Sequence, residues 1–136
     1  MVVLLLFTAA CQPGLNTSDS LHVSGDVERG RQLISDYGCG SCHTVPGVVG
    51  ADALVGPPLD QWAGRHYIAG TLVNTPENLA YWIRFPQEVE PGTAMPDLNV
   101  TEDDAYDMTA YLYTLGREQW QDRQMLALNL PVHLRP

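Results

Sequence analysis

The residues with the clearest chemistry are Cys39-Gly40-Ser41-Cys42-His43. Two thiols a turn apart can each form a thioether to one vinyl group of a single haem. The His directly after the second Cys is then held beneath the iron. This C-x-x-C-H string is the signature of c-type haem attachment. Two other chemistries use a Cys pair. A dithiol redox pair belongs in a strand–helix–strand context, and the surrounding residues show no such pattern. A zinc site needs two further ligands, and the one remaining Cys, Cys11, is far away.

His43 supplies one axial ligand, which raises the question of the second. His22 and His133 lie near the two ends of the chain, and Met125 lies near the second end. Met108 falls on a helical apolar stripe, where Met usually fills core. Met95 lies in Pro91-Gly92-Thr93-Ala94-Met95-Pro96, stiffened by a Pro at each end. A thioether is a weak ligand and benefits from a rigid loop. Met95 is the expected ligand, with His66 as its main rival.

These residues need a scaffold. The chain has 136 residues, enough for one domain. Its seven basic residues are all Arg, and against sixteen acidic ones the net charge is −9. That balance excludes a nucleic-acid partner and a polybasic membrane patch, both of which need a basic surface. Asp26 to Tyr37 reads as a helix with Gly30, Leu33, Ile34 and Tyr37 on one face and Gly38 as its stop. Gly47 to Thr75 is Gly/Pro-rich loop with room for a short helix around Asp60 to Tyr67. Thr75-Pro76-Glu77 starts a second helix, with Leu79, Trp82 and Ile83 inward, and Pro86 stops it. Thr101 caps a third, whose Asp104 is placed to reach back as a capping box and whose end is Gly116. No convincing strand is visible. Loops this long suit a small domain only if something else fills its middle. A large, planar, apolar cofactor would do so.

The ends read differently. Met1 to Ala10 is apolar and uncharged, shorter than a membrane span and close to a secretory signal in length. Ala9-Ala10 before Cys11 resembles a bacterial lipoprotein signal, although Thr8 stands where that pattern prefers Leu. The expectation is a signal-like segment at 1–10 and a lipidated Cys11 opening a flexible linker over 11–25. The core domain then covers 26–116, and 117–136 is a C-terminal extension. A cleaved signal with an incidental Cys is the plainer alternative. The extension reads either as a tail wrapped on the domain or as a docking element.

From about Gly25 to Leu115 the chain resembles the class I, single-haem cytochromes c of the bacterial periplasmic and membrane-tethered kind. The resemblance rests on CGSCH at Cys39 to His43, GPPL at Gly56 to Leu59, PGTAMP at Pro91 to Pro96 and AYL at Ala110 to Leu112. It implies an all-α fold of three to four helices with long loops wrapped around one covalently bound haem c. It implies that Pro57 offers its carbonyl to the axial His ring and that Arg65 neutralises a haem propionate. Trp82 falls where some members place a Tyr on the Met sulfur. Thr93 matches a small polar residue that bonds a propionate or the Met loop. Gly30 matches the Gly where the first and last helices cross, and Tyr111 matches an aromatic of the last helix.

The implied function is one-electron transport in a respiratory or related chain, because a His/Met iron has no open position for substrate. The donor would be a reductase or dehydrogenase and the acceptor a terminal oxidase. The place would be the periplasmic side of a bacterial membrane after export, with a lipid tether. With no Lys ring for docking, association should depend weakly on salt or use a basic partner face. The alternative is a catalytic or ligand-binding haem protein, peroxidase-like or sensor, with a labile sixth ligand. A third reading is an assembly subunit in which the haem is only a fold element.

Overall fold

A computed structural model describes residues 23–117. The readings on Met1 to Ala10, Cys11, His22 and the tail from residue 118 onward lie outside those residues. Helix α1 spans Val27–Asp36. Asp26 is its N-cap, and its carboxylate accepts the Arg29 backbone N–H at 2.9 Å. The helix stops at Tyr37, and Gly38 follows in left-handed backbone at φ 73°. One 3₁₀ turn over Cys39–Ser41 then carries the chain into the Cys/His motif.

The long loop is more structured than its composition predicts. The short helix expected around Asp60 to Tyr67 is a single 3₁₀ turn at Trp62–Gly64. Behind it comes an antiparallel hairpin, β1 Tyr67–Ile68 paired with β2 Leu72–Val73. Ala69 and Gly70 turn the chain with φ of 50° and 75°. Two-residue strands give no alternating pattern to read, which is why the sequence shows no convincing strand.

Helix α2 spans Pro76–Arg84, with the Thr75 hydroxyl accepting from the Asn78 N–H at 3.2 Å. Leu79, Trp82 and Ile83 are buried, as the pattern requires. Pro86 ends α2 and opens one further turn, α3 Pro86–Val89, because a Pro fits the first helical position. Helix α4 spans Glu102–Leu112 and stops four residues short of Gly116.

The Thr101 cap on α4 forms, with the Asp104 N–H donating to Oγ1 at 3.2 Å. The reciprocal half of the expected capping box does not. The Asp104 carboxylate instead accepts from the Tyr37 hydroxyl at 2.8 Å and from the Arg29 guanidinium. Arg29 also pairs with Asp107, whose Oδ1 accepts the Asp26 backbone N–H at 2.6 Å. This polar clamp joins α1 to α4 beside their closest approach. At that crossing a Cβ on Gly30 would run into the Asp107 carbonyl. Helices α1 and α2 both pack on α4, and Ile34, Leu79, Ala105, Met108 and Leu112 form the centre of the core. No helix of the described residues is long and apolar enough to cross a membrane.

Candidate haem site

His43 is positioned by main chain on both sides. Its N–H bonds to the Cys39 carbonyl at 3.0 Å, and the Gly56 N–H bonds to the Cys42 carbonyl at 2.7 Å. The second bond lays Gly56 and Pro57 beside the imidazole. Nδ1 then lies 2.8 Å from the Pro57 carbonyl, which can only accept, so Nδ1 carries the proton and Nε2 is free to bind a metal. A hydrogen bond of this kind also fixes the ring plane and strengthens donation from Nε2. A Cβ on Gly56 would collide with Cε1, Nδ1 and Nε2 of that ring. Gly in the GPPL segment is thus a space requirement set by the ligand.

His43 opens onto a cavity of about 480 Å³ with largely apolar walls. That volume falls in the range of small-molecule sites, about 300–1,000 Å³. Cys39 and Cys42 both line it. Burial pushes the Cys39 thiol up. Met95 lines the same cavity, on the Pro91 to Pro96 loop. Met108 also touches it, but from the packed centre of α4, where it is part of the core. His66, the rival ligand, is exposed and does not line the cavity.

The remaining site residues gather there too. Arg65 lines the cavity, stacks over the Trp62 ring with its guanidinium carbon 4.9 Å from the centroid, and donates to the Pro58 carbonyl. Burial pushes its pKa down, and among the described residues it has no carboxylate partner. Thr93 and Trp82 line the cavity as well. Thr93 accepts from Gln87 through its backbone carbonyl. Trp82 packs into the wall.

Sequence reasoning missed Trp62. Its indole Nε1 is buried with no hydrogen-bond partner among the described residues, and the ring lines the cavity. A buried N–H of this kind costs about 1–3 kcal/mol unless something accepts from it. The available signal was its spacing. Trp62 and Arg65 are three apart across a 3₁₀ turn, where side chains at i and i+3 eclipse.

The cytochrome c family model matches residues 27–116. The chain belongs to the cytochrome c family. Members carry one covalently bound haem c, and the residues present fit that group. Two thiols, a ring with free Nε2 and a thioether all line one apolar cavity. The orphaned Trp62 indole N–H and the Arg65 guanidinium, which has no carboxylate partner among the described residues, suit negatively charged acceptors such as haem carboxylates. The chain is 39% identical over 90 residues to cytochrome c oxidase subunit 2 of Alkalihalophilus pseudofirmus, covering 65% of this chain and 25% of that protein. It is 32% identical over 100 residues to the same subunit of Bacillus sp. strain PS3, covering 71% and 28%. It therefore spans about a quarter of the length of these relatives.

Solved structures of cytochrome c2 share the fold. That of Rhodobacter sphaeroides has a TM-score of 0.53 at 21% identity, covering 68% of this chain and 98% of its own. That of Paracoccus denitrificans has a TM-score of 0.53 at 18% identity, covering 70% and 99%. The mainly helical cytochrome c fold is thus established by family and by shape.

Proposed function

We propose that this cytochrome c domain is a one-electron carrier in a respiratory chain, with Cys39 and Cys42 bonded to the haem and His43 and Met95 as its axial ligands. The observation that carries the reading is the His43 imidazole, fixed by the Pro57 carbonyl and by the space at Gly56, facing a cavity that Met95 also lines. A bound haem supplies the one-electron couple. The chain supplies the rest. Pro57 holds the proton on Nδ1, the apolar walls exclude water, and Arg65 with the Trp62 N–H receives negative charge at the cavity edge. Such a protein is an electron-transfer partner and not an enzyme in its own right.

The likeness to cytochrome c oxidase subunit 2 supports a terminal oxidase as electron acceptor, with a reductase or dehydrogenase as donor. Exposed apolar residues at the cavity support an apolar docking contact. Val55 lines the cavity and is 77% exposed, and Leu54, its neighbour in the chain, is 80% exposed. The chain has no Lys to form a basic ring. Association should therefore depend weakly on ionic strength. The apolar segment before Cys11 supports export, a lipid anchor on Cys11 and a place on the periplasmic side of the membrane. A tether of that kind raises the effective concentration at the partner.

Voltammetry and carbon monoxide binding test the carrier reading. It predicts a reversible one-electron wave and slow carbon monoxide uptake by the reduced protein, since the sixth position is filled. Rapid uptake would favour a ligand-binding or catalytic haem protein. A mass spectrum of membrane-extracted protein tests the anchor, which predicts one covalent haem and a lipid on Cys11.

A further inference from the structure

Gln87 is an exposed residue in the single turn α3, and α3 makes no use of its side chain. The turn is closed by main-chain bonds, from Val89 N–H to the Phe85 carbonyl at 3.2 Å and from Glu90 N–H to the Pro86 carbonyl at 3.0 Å. The carboxamide instead reaches across to the Met95 loop. Oε1 accepts the Gly92 N–H at 3.2 Å. Nε2 donates to the Thr93 carbonyl at 2.8 Å and to the Met95 carbonyl at 2.8 Å. Both amide hydrogens are thereby used, and the partners fix which end of the amide is which.

The root of this clamp is firm. Pro86, the neighbour of Gln87, is fully buried, and the Tyr81 hydroxyl ties α3 to α2 through Glu88 at 3.0 Å. The loop it holds has one main-chain bond back to α3, from Thr93 N–H to the Glu90 carbonyl at 3.0 Å. We propose that Gln87 is the positioning residue for the sixth ligand, holding the Met95 backbone so that its thioether stays presented to the cavity. The proposal rests on Met95 being that ligand. Its physical content is that a weak ligand competes with an external one only as well as its loop is held. Gln87→Glu is the sharpest probe. It preserves size and an acceptor for Gly92, removes both donors, and sets an anionic oxygen against the Thr93 and Met95 carbonyls.

The experiment titrates the oxidised, haem-loaded protein with imidazole, which displaces a thioether from the iron. Wild type, Gln87→Glu, Gln87→Ala and Met95→Ala are compared, with thermal melting recorded for each. The expected result is imidazole binding about tenfold tighter in both Gln87 variants, the scale of one net hydrogen bond lost from the Met-bound state. Their reduction potentials should shift downward with it. A lowered melting temperature with unchanged imidazole affinity and potential would make Gln87 a merely structural residue and overturn the proposal. If Met95→Ala keeps the wild-type imidazole affinity and spectrum, the ligand reading itself falls and the proposal with it.

Discussion

The two sides of the cavity are held in different ways. On the His43 side, the segment from Cys39 to Leu59 is stitched to itself by main chain. Val45 bonds to the Ala51 carbonyl at 2.9 Å, Leu59 to Thr44 at 2.8 Å, and Gly56 to Cys42 at 2.7 Å. The imidazole is locked by a carbonyl and by the absence of a Cβ. On the Met95 side, one exposed side chain makes three of the bonds that hold the ligand loop. Main-chain bonds formed across a packed loop break only with the fold. A single exposed carboxamide can let go without it. The difference teaches that the proposed His43 ligand is built into the scaffold, while the proposed Met95 ligand is held by contacts that can adjust without it.

Four changes sharpen or break this contrast, and the largest effect belongs on the His43 side. Gly56→Ala should force the imidazole off its position, lowering stability by about 1–3 kcal/mol and disturbing iron coordination. Denaturant unfolding and the absorption spectrum of the loaded protein measure both. Near-wild-type values would mean that the ring has more room than the geometry allows.

Next comes Met95→Ala. It should leave helix content intact while opening the sixth position and lowering the reduction potential, read by circular dichroism and voltammetry. Collapse of the fold would show that the Met95 loop is as integral as the His43 segment.

Acid should act on the clamp between α1 and α4. The Asp104 carboxylate is held below its ordinary value, mainly by the Tyr37 hydroxyl and also by Thr101 and Arg29, while burial opposes this. Its folded pKa is therefore lower than its unfolded one. The stabilisation is complete above the unfolded value, about 3.9, and is lost as pH falls through the folded value. Asp104→Asn should flatten that loss in a pH series of melting temperatures. An unchanged pH slope would take Asp104 out of the account.

The smallest effect is expected at the rim. Leu54→Asp should slow electron exchange with the acceptor and leave potential and stability unchanged, read by stopped-flow kinetics. A rate that stays the same would place docking elsewhere.

The His43 side was legible in the sequence because its chemistry is local. The Cys39, Cys42 and His43 spacing names the group, and the GPPL segment begins thirteen residues after His43. Helix starts were equally local, since Asp26, Thr75 and Thr101 each cap with their own hydroxyl or carboxylate. What was missed depends on distant partners. Asp104 looks like half of a capping box, but Tyr37, 67 residues away, takes its carboxylate. Trp62 reads as ordinary core until the cavity shows its N–H without a partner. Nothing in the sequence marks Gln87, and only the folded loop brings the carbonyls of Thr93 and Met95 to it.

The most direct test of the account is the near-infrared band that a thioether gives when bound to oxidised haem iron. It should be recorded on the loaded wild-type protein, on Met95→Ala and on Met108→Ala. The account predicts the band in wild type and in Met108→Ala, and its loss in Met95→Ala alone. Its absence from wild type, or its survival in Met95→Ala, would contradict the assignment of His43 and Met95 as the two ligands.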